Sequence, residues 1–203
     1  MSGIKNFIFD FGGVLYNINI DNAISNFRDC SSKKALFSNP DHSILIDNSC
    51  VDSYERGEIT TEQFRNCLRK QFHLDCNDIQ FDKAWNSILT GINPIAENII
   101  QQLSKKARLS LLSNTSPLHF EKFEPECRKL FSYFDHIFLT FDIGFRKPEE
   151  KAFEHVISQT KYKGEETLFI DDSKKNIEFA SKAGLKVFHL EKPELLSDLL
   201  HTV

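Results

Sequence analysis

The chain has 203 residues, of which 40% are hydrophobic and 27% are charged, and its formal net charge is −4. This length fits one domain, or a core with a small insertion, and the composition is that of an ordinary globular protein. The small negative charge argues against nucleic acid or an anionic membrane as a partner, and no apolar run approaches the roughly 18 residues of a membrane span.

Cysteine usage and the amino terminus indicate the compartment. An odd number of cysteines with no Cys-x-x-Cys pair argues against a disulfide framework or a zinc site. The amino terminus offers one lysine before an apolar run that Asp10 interrupts, which is a poor signal peptide. We therefore expect a cytoplasmic protein with reduced thiols. The cysteines are Cys30, Cys50, Cys67, Cys76 and Cys127.

Short apolar runs along the chain predict the buried strands of a parallel sheet. Helical patterns lie between most of them, and this βαβ alternation is typical of an α/β protein with a doubly wound, Rossmann-like sheet. The predicted strands are Ile4 to Phe9, Arg108 to Leu112, His136 to Thr140, Thr167 to Ile170 and Lys186 to Leu190.

Capping residues mark several predicted helix boundaries. Ser116 stands before a first-turn proline, and Pro148 is expected to start a second helix in the same way. Ser173 is the candidate cap of a third helix, which Gly184 is expected to end.

The interval between Leu15 and Ile92 breaks the alternation, since it carries helical patterns and no convincing strand. The apolar residues of Thr61 to Phe72, for example, fall on one helical face. Ala23 to Phe37 and Ile79 to Leu89 are also predicted to be helical. This interval therefore predicts a small all-helical insertion directly after the first strand.

Four groups of polar residues stand at the ends of predicted strands or at the start of a predicted helix. Ligands of open α/β folds bind at the carboxyl ends of the strands. Any one group alone is equally compatible with a turn, a helix cap or a solvated surface, whereas four in this order indicate one site. In chain order they are Asp10 ahead of Gly12-Gly13, Ser113-Asn114, Lys147 before Pro148, and Asp171-Asp172.

These four motifs resemble those of the haloacid dehalogenase-like hydrolases, a large family of aspartate-nucleophile phosphatases. The resemblance implies a Rossmann-like core formed by residues 1–15 and 92–203, and a helical cap, residues 16–91, that closes over the active site. Residues 54–64, YERGEITTEQF, are similar to a cap segment of the branch that contains sugar 1-phosphate phosphatases and the amino-terminal phosphatase domains of epoxide hydrolases. We therefore expect a hydrolase of small phosphomonoesters.

Phosphoryl transfer needs a nucleophile and neutralisation of the phosphate charge. Asp10 is the expected nucleophile, and its attack would give an aspartyl-phosphate that water then hydrolyses. Because two anions must meet, a cation is required, and Mg²⁺ suits oxygen ligands. By the resemblance, its protein ligands are Asp10, the Gly12 carbonyl and Asp172, with Asp171 behind Asp172 or sharing its role.

The phosphate itself is expected to meet Ser113, Asn114 and Lys147. The Ser113 hydroxyl and the Asn114 backbone N–H would donate to phosphate oxygens, while Lys147 would lie as a point charge beside the phosphate and Asp10. Arg146 has no such role in the family and is interpreted as a surface charge. Three further side chains could equally contact substrate or be structural: Arg56, Trp85 and Tyr16.

The sequence departs from the family at Gly12, where its phosphatases usually carry a second aspartate as general acid for the leaving group. General acid catalysis contributes about 10²- to 10⁴-fold to the rate. Three hypotheses remain. The first is a phosphatase for substrates with an acidic leaving group, such as a sugar 1-phosphate. The second is a regulatory or binding protein that has lost turnover, and the third is a metal-free 2-haloacid dehalogenase, which has no use for Asp171-Asp172.

Overall fold

The computed structural model describes residues 3–38 and 42–202. The predicted strands are all present there, with ends that differ from the prediction by at most two residues, and two short strands accompany them. The strands are β1 (Asn6–Phe9), β2 (Tyr16–Ile18), β3 (Leu89–Ile92), β4 (Arg108–Ser113), β5 (His136–Leu139), β6 (Thr167–Asp171) and β7 (Lys186–His189).

The central sheet is parallel and has the strand order β5-β4-β1-β6-β7. In this register Phe9, the last residue of β1, pairs with Leu111 of β4 and Ile170 of β6. The carboxyl ends of these three neighbouring strands therefore meet at one edge of the sheet. This arrangement confirms the predicted doubly wound α/β fold.

Helices cover both faces of the sheet and form the insertion. The predicted caps Ser116 and Ser173 accept hydrogen bonds from the first turns of their helices, whereas the helix expected at Pro148 begins two residues later, with Glu149 as its cap. None of the helices in the described ranges is long and apolar enough to cross a membrane. The helices are α1 (Ile20–Cys30), α2 (Ser43–Ile46), α3 (Ser49–Glu55), α4 (Thr61–Phe72), α5 (Asp78–Asn86), α6 (Ala96–Leu103), α7 (Pro117–Phe131), α8 (Thr140–Ile143), α9 (Glu150–Thr160) and α10 (Lys174–Lys182), with 3₁₀ turns at Lys34–Phe37, Gly164–Glu166 and Pro193–His201.

Side chains of β1 alternate between two hydrophobic layers, one on each face of the sheet. Phe7 and Phe9 stack with ring centroids 5.8 Å apart and belong to the layer beneath α6 and α7. Ile8 points to the opposite layer, where it joins Phe153 of α9 and Phe169 of β6. The strand is buried on both faces, as its continuous apolar run predicts.

Helices α1 to α5 form the helical cap and have a hydrophobic cluster of their own. Its largest fully buried side chains are Phe27, Tyr54, Phe64 and Phe81. The predicted helix over Ala23 to Phe37 is instead α1, which ends at Cys30, followed by a 3₁₀ turn.

Two short strands at the junction of cap and core were not expected from the sequence. β2 and β3 pair antiparallel, with Asn17 opposite Gly91. Each has only three or four residues and is partly exposed, so neither has the apolar run that marks a strand in sequence. The predicted helix over Ile79 to Leu89 therefore ends at Asn86, and β3 begins at Leu89.

The expectation that the cysteines form no disulfide was wrong. Cys50 of α3 and Cys67 of α4 form one, with their Cα atoms 6.1 Å apart, while Cys30, Cys76 and Cys127 are free. The two residues are separated by 17 positions and meet only because the cap packs α3 against α4. The argument from cysteine usage for reduced thiols therefore does not hold for this pair.

Cap and core meet through a small buried interface between α5 and α7. The rings of Trp85 and His119 stack 4.5 Å apart and nearly parallel, and His119 Nε2 donates to the Trp85 carbonyl at 3.2 Å. The Trp85 indole N–H also donates to Ser116 Oγ at 3.3 Å. Burial lowers the pKa of His119 from 6.5 to about 4, because it disfavours the charged imidazolium.

We expect this histidine to make the fold acid-sensitive. Because the pKa of His119 is lower in the folded chain, its contribution to stability is complete above pH 6.5 and is lost as the pH falls towards 4. The loss should be about 2 kcal/mol at pH 5, from about 1.36 kcal/mol per pH unit. Urea unfolding of His119→Gln at pH 7 and pH 5 should show that much less acid sensitivity than the native chain. The exposed His136→Gln is the matched control, and an unchanged acid loss in His119→Gln would contradict this assignment.

Candidate active site

Three carboxylates and one ammonium group meet where β1 and β6 end. Oxygen atoms of Asp10, Asp171 and Asp172 lie within 4.8 Å of one another. Lys147 Nζ lies 2.6 Å from Asp10 Oδ1 and 2.8 Å from Asp171 Oδ2. The sheet register brings Asp10 and Asp171 together, since the Asp10 N–H donates to the carbonyl of Ile170 at 2.9 Å.

The two carboxylate oxygens of Asp10 have different surroundings. Oδ1 accepts from the Phe11 backbone N–H at 2.7 Å and from Lys147, whereas no hydrogen bond to Oδ2 is found among the described residues. Burial, and then the negative charge of Asp171, raise the pKa of Asp10 to about 8, although Lys147 opposes the shift. The site therefore disfavours the anionic form of Asp10 unless further positive charge is present.

Lys147 is almost completely buried, and its position is set by Asn114. The Asn114 amide donates to the Lys147 carbonyl and accepts from the Lys147 N–H, both at 2.9 Å. Burial by itself would lower the pKa of Lys147, but Asp10 and Asp171 outweigh it, so that the pKa is raised. The side chain of Asn114 therefore orients the lysine, a role that the sequence did not reveal.

The adjacent carboxylates of Asp171 and Asp172 differ in how they are engaged. Asp171 is fully buried and accepts from the Ser173 N–H at 2.8 Å, from Lys147, and from Asn176 Nδ2 at 3.0 Å through both oxygens. Asp172 is more exposed, and burial together with Asp171 raises its pKa. The lone pairs of Asp171 are thus largely occupied, which makes Asp172 the better candidate for a direct metal ligand.

The two glycines after Asp10 leave different kinds of space. Gly13 has a φ of +81°, and a Cβ there would lie 2.2 Å from Asp172 Oδ2, so the carboxylate occupies the place of a side chain. A Cβ at Gly12 would make ordinary contact with Ile18, 3.5 Å away. The position where the family usually carries its general acid is therefore bordered by hydrocarbon.

A cavity of about 200 Å³ lies between the cap and this edge of the sheet. Ser113, at the end of β4 and 1% exposed, lines it and has no hydrogen bond to its hydroxyl within the described part of the chain. Of the suggested substrate contacts, Trp85 and Tyr16 line this cavity, whereas Arg56 does not. The lining residues are Phe11, Gly12, Tyr16, Ile18, Ile20, Leu45, Ile46, Val51, Glu55, Trp85, Ile88, Leu89, Ser113, Asn114, Thr115, His119, Phe123 and Arg146.

The interpretation of Arg146 as a surface charge was wrong. Its side chain is mostly buried, lines the cavity, and lies 2.5 Å from Asp52 Oδ1 and 2.7 Å from Glu55 Oε2 of the cap. Arg56 of the cap pairs in turn with Glu149 of the core and with Asp52. These ion pairs join the cap to the segment that carries Lys147, and sequence spacing gives no sign of them.

Glu55 is the carboxylate that the described residues place in the cavity lining, and the sequence analysis missed it. Its Oε2 and Arg146 Nε are buried without a partner in hydrogen-bond geometry, although the two side chains form an ion pair. Burial raises the pKa of Glu55, while Arg146 acts in the opposite direction. Glu55 falls within residues 54–64. The similarity of that segment to cap sequences was the sign in the sequence that pointed to this residue.

Comparisons with known proteins agree with this geometry. A family profile described as haloacid dehalogenase-like hydrolase matches residues 4–184. A D-ribitol-5-phosphate phosphatase of Bacteroides thetaiotaomicron is 27% identical over 93% of the chain and 92% of its own length. A sesquiterpene phosphatase of Aspergillus oryzae is 26% identical over 90% of the chain and 88% of its own.

A solved structure shares the whole architecture. An enzyme of the same family from Bacteroides thetaiotaomicron, crystallised as an aspartate-to-alanine mutant with magnesium and inorganic phosphate, superposes with a TM-score of 0.81. It is 29% identical, and the match covers 92% of this chain and 93% of that one. The chain belongs to the haloacid dehalogenase-like hydrolases.

We expect the Lys147 ammonium group to be essential for stability. Lys147→Met would leave Asp10 and Asp171 facing each other in a buried site, and removing one partner of a buried ion pair costs about 3–5 kcal/mol. The loss should be smaller at pH 5 than at pH 8, since the unpaired carboxyls then bind protons. Chemical unfolding at both pH values, with the exposed Lys105→Met as control, measures this. A variant as stable as the native chain at pH 8 would contradict the pairing.

Proposed function

We propose that the protein is a magnesium-dependent phosphatase of small phosphomonoesters that works through an aspartyl-phosphate on Asp10. The observation that carries the proposal is the cluster of Asp10, Lys147, Asp171 and Asp172 at the edge of the sheet, beside the free hydroxyl of Ser113. The phosphatases among the relatives and the family member crystallised with magnesium and phosphate support it.

The residues present fit a magnesium ion. Three carboxylates converge around a single ammonium group, which leaves the cluster short of positive charge. Asp172 and Oδ2 of Asp10 offer oxygen ligands, the kind that Mg²⁺ prefers, and the Gly12 carbonyl is the proposed third. When bound, the ion supplies the charge neutralisation that lets an anionic nucleophile approach a phosphate.

Each protein group then has a defined task in the reaction. A carboxylate oxygen of Asp10 forms a bond to phosphorus as the bond between phosphorus and the alcohol oxygen breaks. Lys147, held against Asp10, stabilises the charge of both anions, while Ser113 and the Asn114 N–H donate to phosphate oxygens. Water then attacks the phosphorus of the aspartyl-phosphate, which releases phosphate and restores Asp10.

The cap completes the site by covering it. We propose that residues 16–91 form the cap and that residues 1–15 and 92–203 form the core. The ion pairs of Arg56 and Arg146 fix the cap over the cavity, where exclusion of water strengthens each charge interaction.

The cytoplasmic location of the protein remains a prediction from the sequence.

The other two hypotheses receive less support from the geometry. A metal-free dehalogenase has no use for the adjacent carboxylates of Asp171 and Asp172, and a protein without turnover has no use for the unpaired Ser113 hydroxyl at the edge of the sheet. A sugar 1-phosphate remains a candidate substrate on chemical grounds, because its anomeric oxygen is a more acidic leaving group than an ordinary alcohol. The relatives do not select a substrate, since ribitol phosphate and a sesquiterpene differ widely in polarity.

We expect Asp10→Asn to abolish turnover without unfolding the protein, because an amide fills the same space but is not a nucleophile toward phosphorus. The measurement is hydrolysis of p-nitrophenyl phosphate with Mg²⁺, together with a thermal melt. Asp29→Asn, an exposed position on α1, serves as control and should be fully active. More than a few per cent of activity in purified, undeamidated Asp10→Asn would exclude Asp10 as the nucleophile.

The absence of an acid at Gly12 should make the rate depend steeply on leaving-group acidity. Aryl phosphates should react much faster than primary alkyl phosphates of similar size. Gly12→Asp should flatten this dependence and help alkyl substrates most, by up to about 10²-fold, since a Cβ there makes only ordinary contacts. A plot of log kcat/KM against leaving-group pKa tests this, because kcat/KM reports the step in which the leaving group departs.

The same plot identifies any substitute for the missing acid. A shallow slope in the native protein would contradict the prediction for Gly12. If that slope then became steep in Glu55→Gln, the proton would come from the cavity carboxylate of the cap, with the exposed Glu58→Gln as its control.

A further inference from the structure

The cavity above the phosphate site is lined mainly by hydrocarbon. The cap contributes Val51 and Trp85, the core contributes Phe11 and Phe123, and Ile18 comes from the short strand β2. Such walls offer no hydrogen bonds to the hydroxyl groups of a sugar. A buried hydroxyl without a partner is unfavourable, whereas a hydrocarbon chain is stabilised there.

Several polar groups of the lining are already engaged within the protein. The Tyr16 hydroxyl donates to a carboxylate of α7, and His119 Nε2 donates to the Trp85 carbonyl at 3.2 Å. The Asn114 amide makes its two hydrogen bonds to the backbone of Lys147. Each of these three side chains therefore spends part of its hydrogen-bonding capacity inside the protein, which leaves the Tyr16 oxygen and His119 Nδ1 only as acceptors.

Four polar side chains of the cavity lining remain. Ser113 and Thr115 lie at and just after the end of β4, on the phosphate side. Glu55 of the cap and Arg146 of the core pair with each other. This distribution suits a molecule that is polar where the phosphate is attached and apolar elsewhere.

Apolar side chains continue to the mouth of the cavity. Ile18 and Ile46 line it and are 39% and 50% exposed, which places them where the cavity meets solvent. Ile18 also borders Gly12, at 3.5 Å from a Cβ built there. The Ile18 side chain thus extends hydrocarbon from the Gly12 end of the cavity towards its opening.

We propose that the substrate is the phosphomonoester of a small apolar alcohol, whose hydrocarbon part occupies this cavity. The proposal rests on the phosphatase function proposed above and names its substrate class. A cavity of about 200 Å³ has room for a short hydrocarbon chain. The alcohol should therefore be small.

A matched pair of substrates tests the polarity of the site directly. Pentyl phosphate and D-ribitol 5-phosphate are both primary esters with five carbons, and they differ by four hydroxyl groups. We expect kcat/KM to favour pentyl phosphate at least tenfold. A preference for ribitol 5-phosphate, or equal values, would overturn the proposal.

A chain-length series tests the size of the site. Across ethyl, butyl, hexyl and decyl phosphates the leaving-group acidity is nearly constant, so any lack of a general acid affects all members alike. We expect kcat/KM to rise about fourfold per methylene up to hexyl and to level off or fall by decyl. A flat series would contradict burial of the chain in this cavity.

Two isoleucine variants test whether the preference for pentyl phosphate arises in this cavity. Ile18→Thr exchanges hydrocarbon for a hydroxyl at the mouth and should reduce the preference for pentyl phosphate several-fold. Ile79→Thr changes an 80% exposed cap residue outside the lining and should leave the preference intact, whereas equal effects of the two variants would count against the cavity.

Hydrolysis of p-nitrophenyl phosphate with Mg²⁺ separates failure of the proposed phosphatase function from failure of the proposed apolar substrate. Its absence contradicts both, whereas its presence with a preference for ribitol 5-phosphate contradicts only the apolar substrate.

Discussion

Lys147 places its ammonium group between Asp10 and Asp171, at 2.6 and 2.8 Å, in a position that solvent does not reach. Without that charge the two strand ends would bring carboxylates together in a buried site, which is strongly unfavourable. The Asn114 side-chain amide holds the Lys147 backbone through one hydrogen bond to its carbonyl and one from its N–H. The ends of β1, β4 and β6 and the loop that carries Lys147 therefore depend on one buried cation for their arrangement.

The parallel sheet supplies the rest of the constraint. Because β1, β4 and β6 are in register, Asp10, Ser113 and Asp171 reach the same edge without any long connection between them. Gly13 lets the Asp172 carboxylate lie against the backbone beside Asp10. The cap then closes the space above, held by ion pairs to the segment that contains Lys147.

Sequence reasoning found the parts of the site that local patterns encode. Asp10, Ser113 and Asp171 each follow an apolar run, so strand ends could be recognised and the fold class followed from their alternation with helices. Lys147 follows no apolar run, and it was predicted from its setting before Pro148-Glu149 and from its order among the other motifs.

The parts that were missed depend on contacts between distant segments. Asn176 meets Asp171 only because α10 folds back over the strand end, and Glu55 meets Arg146 only when the cap is docked. The disulfide between Cys50 and Cys67 and the pairing of β2 with β3 arise in the same way. No spacing rule along the chain predicts which surfaces of cap and core will face each other.

A crystal structure of the protein soaked in Mn²⁺, which binds hard-oxygen sites like those of magnesium, tests the central claim most directly. We expect one anomalous peak between the carboxylates of Asp10 and Asp172, adjacent to the Gly12 carbonyl, with Lys147 still paired to Asp10. A structure that shows Asp172 turned away from Asp10 with no peak between them, or a peak only elsewhere, would contradict the assignment of this strand edge as a metal-dependent phosphatase site.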